Sequence, residues 1–361
     1  MTIKENQRKQ GGNKMKKLIA LLLAMIMVLS MVACGAADAP AADAPAADAP
    51  AADAPAADAP TDTRYKIGFA NIGEVNETCM AVKRSFEAAA EKYDFDLVYM
   101  NNDMDGATAV KNADNMVQQG VDGLVEFNID ASVGATLKGI CDDAGIPLIA
   151  IDIGIDGVPF FGGDNAMVGV VGGRHLGKVA QERWGEEPDI LLLIEDSTSG
   201  ETPMPRVRNM PEGLRETFPD FPDEKIYTLD GAGDAADVQK LVSDFLTAHP
   251  DANKIAIGAF QDIIAPATLA AIETAGRESD CIMVCASEYS YLDYLKANPD
   301  PVENEVYVGG VAFFFPLYAD YIIPVMIDMI NGKEAPAEFF VEHEVLTREN
   351  AAEFYADYLN S

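Results

Sequence analysis

From Tyr65 onward the chain alternates short apolar runs with amphipathic stretches, separated by polar or glycine-rich breaks. Runs of about five to eight apolar residues are the length of strands buried on both faces, and the stretches between them are long enough to be crossover helices. The pattern therefore predicts an α/β fold of parallel sheets flanked by helices. Strands are expected at Lys66–Ala70, Leu97–Met100, Gly123–Phe127, Pro147–Ile151, Ile190–Ile194, Ile226–Leu229, Lys254–Ala259, Ile282–Ala286 and Val306–Val311. Helical spacing marks Ala81, Val82, Phe86, Ala89 and Ala90, and again Val238, Leu241, Val242, Phe245 and Leu246, as buried faces. Residues 65–361 exceed the usual size of one such domain, so two Rossmann-like lobes of about 150 residues each are predicted, with the first crossover at Asp164-Asn165. Two open lobes of this kind form a cleft at the C-terminal ends of their strands, where ligands bind.

The start of the chain has three contrasting compositions. Lys14, Lys16 and Lys17 precede an apolar segment from Leu18 to Ala33, too short for a transmembrane helix and suited to an export signal spanning residues 1–33. Residues 1–14 precede a second possible start at Met15 and receive no function. The run Leu29-Ser30-Met31-Val32-Ala33-Cys34-Gly35 resembles a bacterial lipoprotein cleavage box, which implies lipidation of Cys34. Five Ala-Ala-Asp-Ala-Pro units follow, from residue 36 to 60. A proline in every unit breaks helices and the repeated aspartate repels itself, so residues 34–64 read as a disordered, stiffened tether.

Charge narrows the partners. The whole chain stands at −33; its first 33 residues carry six Lys/Arg and one Glu, so the remainder stands at −38. That balance argues against nucleic acid and against direct adsorption to anionic lipid, and for solubility at the cell exterior. Besides Cys34 there are Cys79, Cys141, Cys281 and Cys285, whose spacing names no disulfide framework; mostly buried free thiols are expected. His175, His249 and His343 are the only histidines and none has ligand spacing with a cysteine pair, so no metal site and no cofactor are expected. Gly231-Ala232-Gly233 before Asp234 reads as a turn ahead of a capped helix rather than a phosphate loop.

Several phrases, in order, resemble the type I periplasmic solute-binding proteins, the ribose- and galactose-binding-like receptors of ABC importers. They are Tyr65-Lys66-Ile67-Gly68-Phe69, Gln119-Gly120-Val121-Asp122-Gly123-Leu124, Ala144-Gly145-Ile146-Pro147-Leu148-Ile149, Gly162-Gly163-Asp164-Asn165, Leu246-Thr247-Ala248-His249-Pro250 and Ile330-Asn331-Gly332-Lys333. The resemblance implies a Venus-flytrap receptor with hinge crossings near Asp164, Ala312 and Pro336. One lobe would take residues 65–164 and 313–335, the other 165–312 and 336–361.

The same resemblance implies binding positions. Asn76 matches a polar sugar contact, and Thr78 and Cys79 stand where paired aromatics are common. Asp152 matches an acid that accepts sugar hydroxyls, although the arginine that usually follows is Ile153. Arg208 matches an arginine at a helix start, Gln261 stands for an asparagine with Asp262 beside it, Glu288 replaces a shorter aspartate, and Phe313 holds a hinge position often occupied by glutamine. Phe127, Phe313, Phe314 and Tyr289 are candidates to stack on an apolar ring face.

The implied function is an extracytoplasmic, lipid-anchored, monomeric receptor. It would bind a sugar or related polyhydroxylated solute and deliver it to an ABC permease with its ATPase, without catalysis. A nucleoside or furanose ligand, or presentation to a chemoreceptor or kinase, are the alternatives within the same fold. An exported enzyme using Asp152, Asp262 or Glu288 is the alternative outside it, but no nucleophile, metal set or cofactor loop accompanies those acids.

Overall fold

The computed structural model describes residues 64–361. The expected signal, Cys34 and nearly all of the tether lie outside the described residues. Chain order begins β1 (Lys66–Asn71), α1 (Glu77–Lys92), β2 (Asp96–Asn101), α2 (Gly106–Gln118), β3 (Gly123–Glu126), α3 (Gly134–Ala144), β4 (Leu148–Ile151) and β5 (Phe160–Gly162). Next come α4 (Asn165–Trp184), β6 (Ile190–Glu195), α5 (Pro205–Arg208), α6 (Met210–Arg215), β7 (Ile226–Asp230), α7 (Ala235–Ala248), β8 (Ile255–Ala259), α8 (Ile264–Ala275), β9 (Cys281–Cys285), α9 (Tyr289–Ala297) and β10 (Tyr307–Val311). The chain finishes with α10 (Tyr318–Ile330), β11 (Glu338–Phe340), β12 (Val345–Leu346) and α11 (Ala351–Leu359).

These strands form two six-stranded sheets, ordered β2-β1-β3-β4-β5-β11 and β7-β6-β8-β9-β10-β12. Pairing is parallel throughout except for β12, which runs antiparallel to β10. Each lobe thus has a doubly wound order whose switch point lies beside its first strand, between β1 and β3 or between β6 and β8. All nine expected strands are present, within a residue or two of their predicted ends. The three that were not expected, β5, β11 and β12, are two or three residues long; β11 and β12 are sheet edges and β5 lies just inside β11.

Alternation along the strands divides the core. In the first lobe Ile67, Phe69, Val125 and Ile149 face α1, where the Phe69 and Phe86 rings stack at 3.8 Å. Ala70, Leu124, Leu148 and Ala150 point the other way, onto Met116, Leu137 and Cys141 of α2 and α3. Ala81, Val82, Phe86 and Ala89 are buried on α1, and Val238, Val242, Phe245 and Leu246 on α7, while Ala90 and Leu241 are half-buried. Aspartate and asparagine side chains start the helices: Asn76 caps α1, Asp164 caps α4, and Asp234 caps α7, accepting from Ala236 and Asp237 after the Gly231–Gly233 turn. Cys79, Cys141, Cys281 and Cys285 are buried and free. Among the described residues no helix is long and apolar enough to cross a membrane.

Three passages link the sheets. The first runs from β5 through Gly163 and Asp164 into α4, which packs on β8, β9 and β10. The second leaves β10 at Val311 and delivers α10 to α1. The third joins β11 to β12 across Val341–Glu344, a few residues later than Pro336, because Glu338–Phe340 first pair with Phe160–Gly162 in the first sheet.

A close helix crossing holds the second lobe together. A Cβ on Gly173 of α4 would overlap the backbone carbonyl of Met210, and one on Gly213 of α6 would overlap that of Val170. Backbone-to-backbone contact leaves no side chain that can yield. Gly173→Val is therefore expected to destabilise the protein by about 3 kcal/mol or more, as overpacking against rigid neighbours does, read as a fall in the urea midpoint at unchanged slope.

Candidate functional site

A cavity of about 800 Å³ lies between the lobes on the hinge side of the cleft. Its first-lobe wall is Asp152 together with the β4–β5 loop from Gly154 to Phe160; its second-lobe wall is Asn165, Thr202 and Arg206; Ala335, Ala337 and Glu338 close one edge. The volume suits a small ligand.

Asp152 ends β4 in the left-handed region, φ 57°. Its backbone N–H donates to the Phe161 carbonyl at 2.9 Å, so the turn is pinned to β5 and the carboxylate is aimed back toward the passage. The side chain is open to water in the cavity, yet protein surrounds it on most sides. That desolvation raises its carboxyl to about 6, against the opposing pull of Arg206 and of donors at Gly163 and Tyr318. The Tyr318 hydroxyl lies 3.5 Å from Oδ1.

Arg206 approaches from the other lobe. Its Nε donates to Asn165 Oδ1 at 2.6 Å, and its guanidinium lies over the Phe313 ring at 4.5 Å and the Phe260 ring at 5.9 Å. Burial pulls its affinity for the proton down, and Asp152 across the cavity is the largest influence in the other direction. Its two terminal nitrogens make no hydrogen bond to protein among the described residues, and no ion pair forms between Arg206 and Asp152. An acceptor set and a donor set thus face the same space from opposite lobes, each held by neighbours rather than by the other.

Arg208 was the arginine expected here, and the structure turns it away. Its Nε and Nη2 each reach Glu195 at 2.8 Å, and Nη1 reaches Glu201 at 2.6 Å, on a shallow surface beside Pro211 and Glu212. Residues two apart on a helix point to opposite sides, so when Arg208 faces out, Arg206 faces in. The helical start at Pro205 was legible; which of the two arginines points inward depended on a phase that a four-residue helix leaves open.

The remaining expected positions do not gather in the cavity. Asn76 sits exposed on the first-lobe rim, with Oδ1 accepting from the Cys79 N–H at 3.0 Å as a helix cap. Gln261 donates to Asp196 Oδ2 at 2.8 Å at the second-lobe switch point. Asp262 accepts from the Ser287 hydroxyl and the Ser290 N–H, both at 2.7 Å. Phe127 and Phe313 are buried in the core. Glu288 is fully buried: Oε2 accepts from the Phe313 N–H and Oε1 from the Tyr355 hydroxyl, each at 3.0 Å. Burial pushes its carboxyl to about 8. Its extra methylene, compared with aspartate, carries it to the second passage and to α11, where it ties three segments together. Asn165, read from the sequence only as part of the first crossover, and Thr202 line the cavity without having been expected as contacts; short polar side chains carry no pattern of their own.

Comparison with known proteins agrees with this architecture. A periplasmic ribose ABC transporter protein from Conexibacter woesei superposes with a TM-score of 0.63 at 20% identity, covering 81% of this chain and 95% of its own. An ABC transporter periplasmic solute-binding protein from Actinobacillus succinogenes, solved with bound D-allose, gives 0.59 at 19% identity over 81% of this chain and 100% of the other. One from Bacillus halodurans, solved with bound myo-inositol, gives 0.58 at 18% over 83% and 100%. No curated protein matches the chain. The model of the periplasmic binding protein domain matches residues 67–334, and with both sheets, the linking passages and the interlobe cavity in place, the chain belongs to that family.

Proposed function

We propose that this protein is an extracytoplasmic receptor, anchored by lipid on Cys34, that binds a sugar or related polyhydroxylated solute between its lobes and presents the closed form to an ABC permease. The observation that carries the reading is the facing of Asp152 and Arg206 across one cavity without a direct ion pair. A ligand bearing hydroxyls completes both: it donates to the carboxylate and accepts from the guanidinium. Because each group belongs to a different lobe, such a ligand touches both only when the lobes close on it, and its binding energy favours closure. Relatives in the same fold that hold allose or inositol, or belong to a ribose transporter, support the same ligand class. The export signal, the cysteine box and the repeat tether support the location, and the acidic balance supports a role away from nucleic acid.

A thermal-shift screen of monosaccharides, polyols, nucleosides and amino acids tests the ligand class; stabilisation by a sugar or polyol without turnover is the expected result, and a response to amino acids alone would refute it. With the best ligand in hand, Arg206→Ala is expected to weaken binding at least about tenfold, the loss of a charge-assisted hydrogen bond, while Arg208→Ala leaves affinity within about twofold, measured by calorimetry.

Asp152 carries a pH signature. Its folded value of about 6 stands above the ordinary 3.8, so the fold prefers the protonated acid, and the stability this contributes at low pH is lost as pH rises from 3.8 through 6. Asp152→Asn, which stays neutral, is expected to be more stable than the parent above that window by about 1 kcal/mol, the penalty being screened by cavity water, and equal to it below. Urea unfolding at the two extremes reads the difference, and the same variant is expected to lose ligand.

A further inference from the structure

The imidazole of His343 touches all three passages between the lobes. It stands on the third. Its Nε2 accepts from the backbone N–H of Asp164 on the first passage at 3.0 Å, and Nδ1 meets the Ala312 carbonyl on the second at 2.9 Å. The tautomer follows from the partners: an amide can only donate, so Nε2 is bare and Nδ1 carries the proton that it gives to Ala312.

We propose that His343 is a positioning residue whose neutral ring fastens the hinge and sets the orientation of Arg206, and that protonating it releases both. Two routes lead from the ring to that guanidinium. Asp164, whose amide His343 holds, caps α4 through Oδ1, accepting from Ala166 and Met167 at 3.0 Å, and the first residue of that helix, Asn165, holds Arg206 Nε. The ring also packs edge-on against Phe313 at 5.0 Å, and Arg206 lies over Phe313. Gly163 completes the seat, since a Cβ there would overlap the Phe313 ring and press on His343.

A second proton on the imidazole goes to Nε2 and turns that nitrogen into a donor facing a donor. The Asp164 amide then loses its acceptor inside the hinge. The charged groups facing the ring are Asp164 from the first passage, which favours the proton, and Arg206 from α5, which opposes it; the second passage offers the Ala312 carbonyl and the Phe313 ring, and Glu342 and Glu344 flank the histidine on its own passage. Burial outweighs the favourable partners and holds the ring below its ordinary value of 6.5. The fastening is therefore complete above about 6.5 and is lost as pH falls from there through the lowered folded value. The device rests on hinge geometry alone and holds whichever solute binds.

Nitrogen-15 NMR of the ligand-free protein from about pH 7.5 to about pH 5 tests it, with hydrogen exchange at the Asp164 amide as the second reading. The expected result is a neutral ring protonated on Nδ1 at the upper pH, a midpoint below the ordinary value, and a protection of the Asp164 amide that falls about tenfold, after correction for intrinsic exchange, with the same midpoint. The Arg206 Nε–H resonance is expected to move with it. His343→Gln, which has no proton to gain in this range, should abolish the pH response of both signals. Should that variant fail to fold, the three signals of the parent protein decide alone. A purely structural histidine would leave the Arg206 resonance still; that result, or Asp164 protection that ignores the His343 midpoint, overturns the proposal.

Discussion

The Phe313 ring is the piece on which the relation between the lobes depends. It sits where the second passage leaves the second sheet, is seated against the bare backbone of Gly163 on the first passage, and meets His343 from the third. Its own N–H is held by Glu288, its face carries the Arg206 guanidinium, and Phe315 stacks beyond it at 5.7 Å. Only a residue without Cβ can occupy position 163 opposite a ring of that size. The aromatic seat places an arginine from one lobe near a carboxylate from the other, and it does so by shape rather than by charge pairing. The resemblance to glutamine-bearing hinges put Phe313 among the ligand contacts; its burial in the core gives it this supporting place instead.

Long elements were legible because periodicity accumulates. Strands such as Ile190–Glu195 and helices such as Ala235–Ala248 carry enough residues for alternation or a helical stripe to stand out. The short strands Phe160–Gly162, Glu338–Phe340 and Val345–Leu346 carry too few residues for either signal, and they exist because a neighbouring strand offers unpaired backbone groups. The third passage was accordingly placed too early. In the cavity wall, Asp152 was legible as an acid ending a strand, whereas Arg206 differs from Arg208 only in helical phase. Glu288 looked like a ligand acid because its position follows a strand; the hydroxyl and amide that engage it come from Tyr355 and Phe313, far along the chain, and no local pattern announces them.

Asp152 bears two costs at once. It adopts a left-handed backbone, and it holds a carboxylate where protein has displaced much of the water. Such departures from local preference cluster at functional sites, where the surrounding structure over-determines them. Here the pinning hydrogen bond to Phe161 and the neighbouring Arg206 are what sustain it.

The two edge strands that follow α10 have a consequence for how the molecule is made. β11 completes the sheet begun by β1, and β12 completes the sheet begun by β6, and both lie outside residues 67–334, the stretch matched by the family. β11 pairs with Phe160–Gly162, far earlier in the chain, whereas β12 pairs with the nearby β10. Loop-closure entropy must be met before the β11 pairing is rewarded, so that pairing is expected to form after the local helices. A growing chain leaves the outer edge of β5 unpaired until the segment that follows α10 has been made.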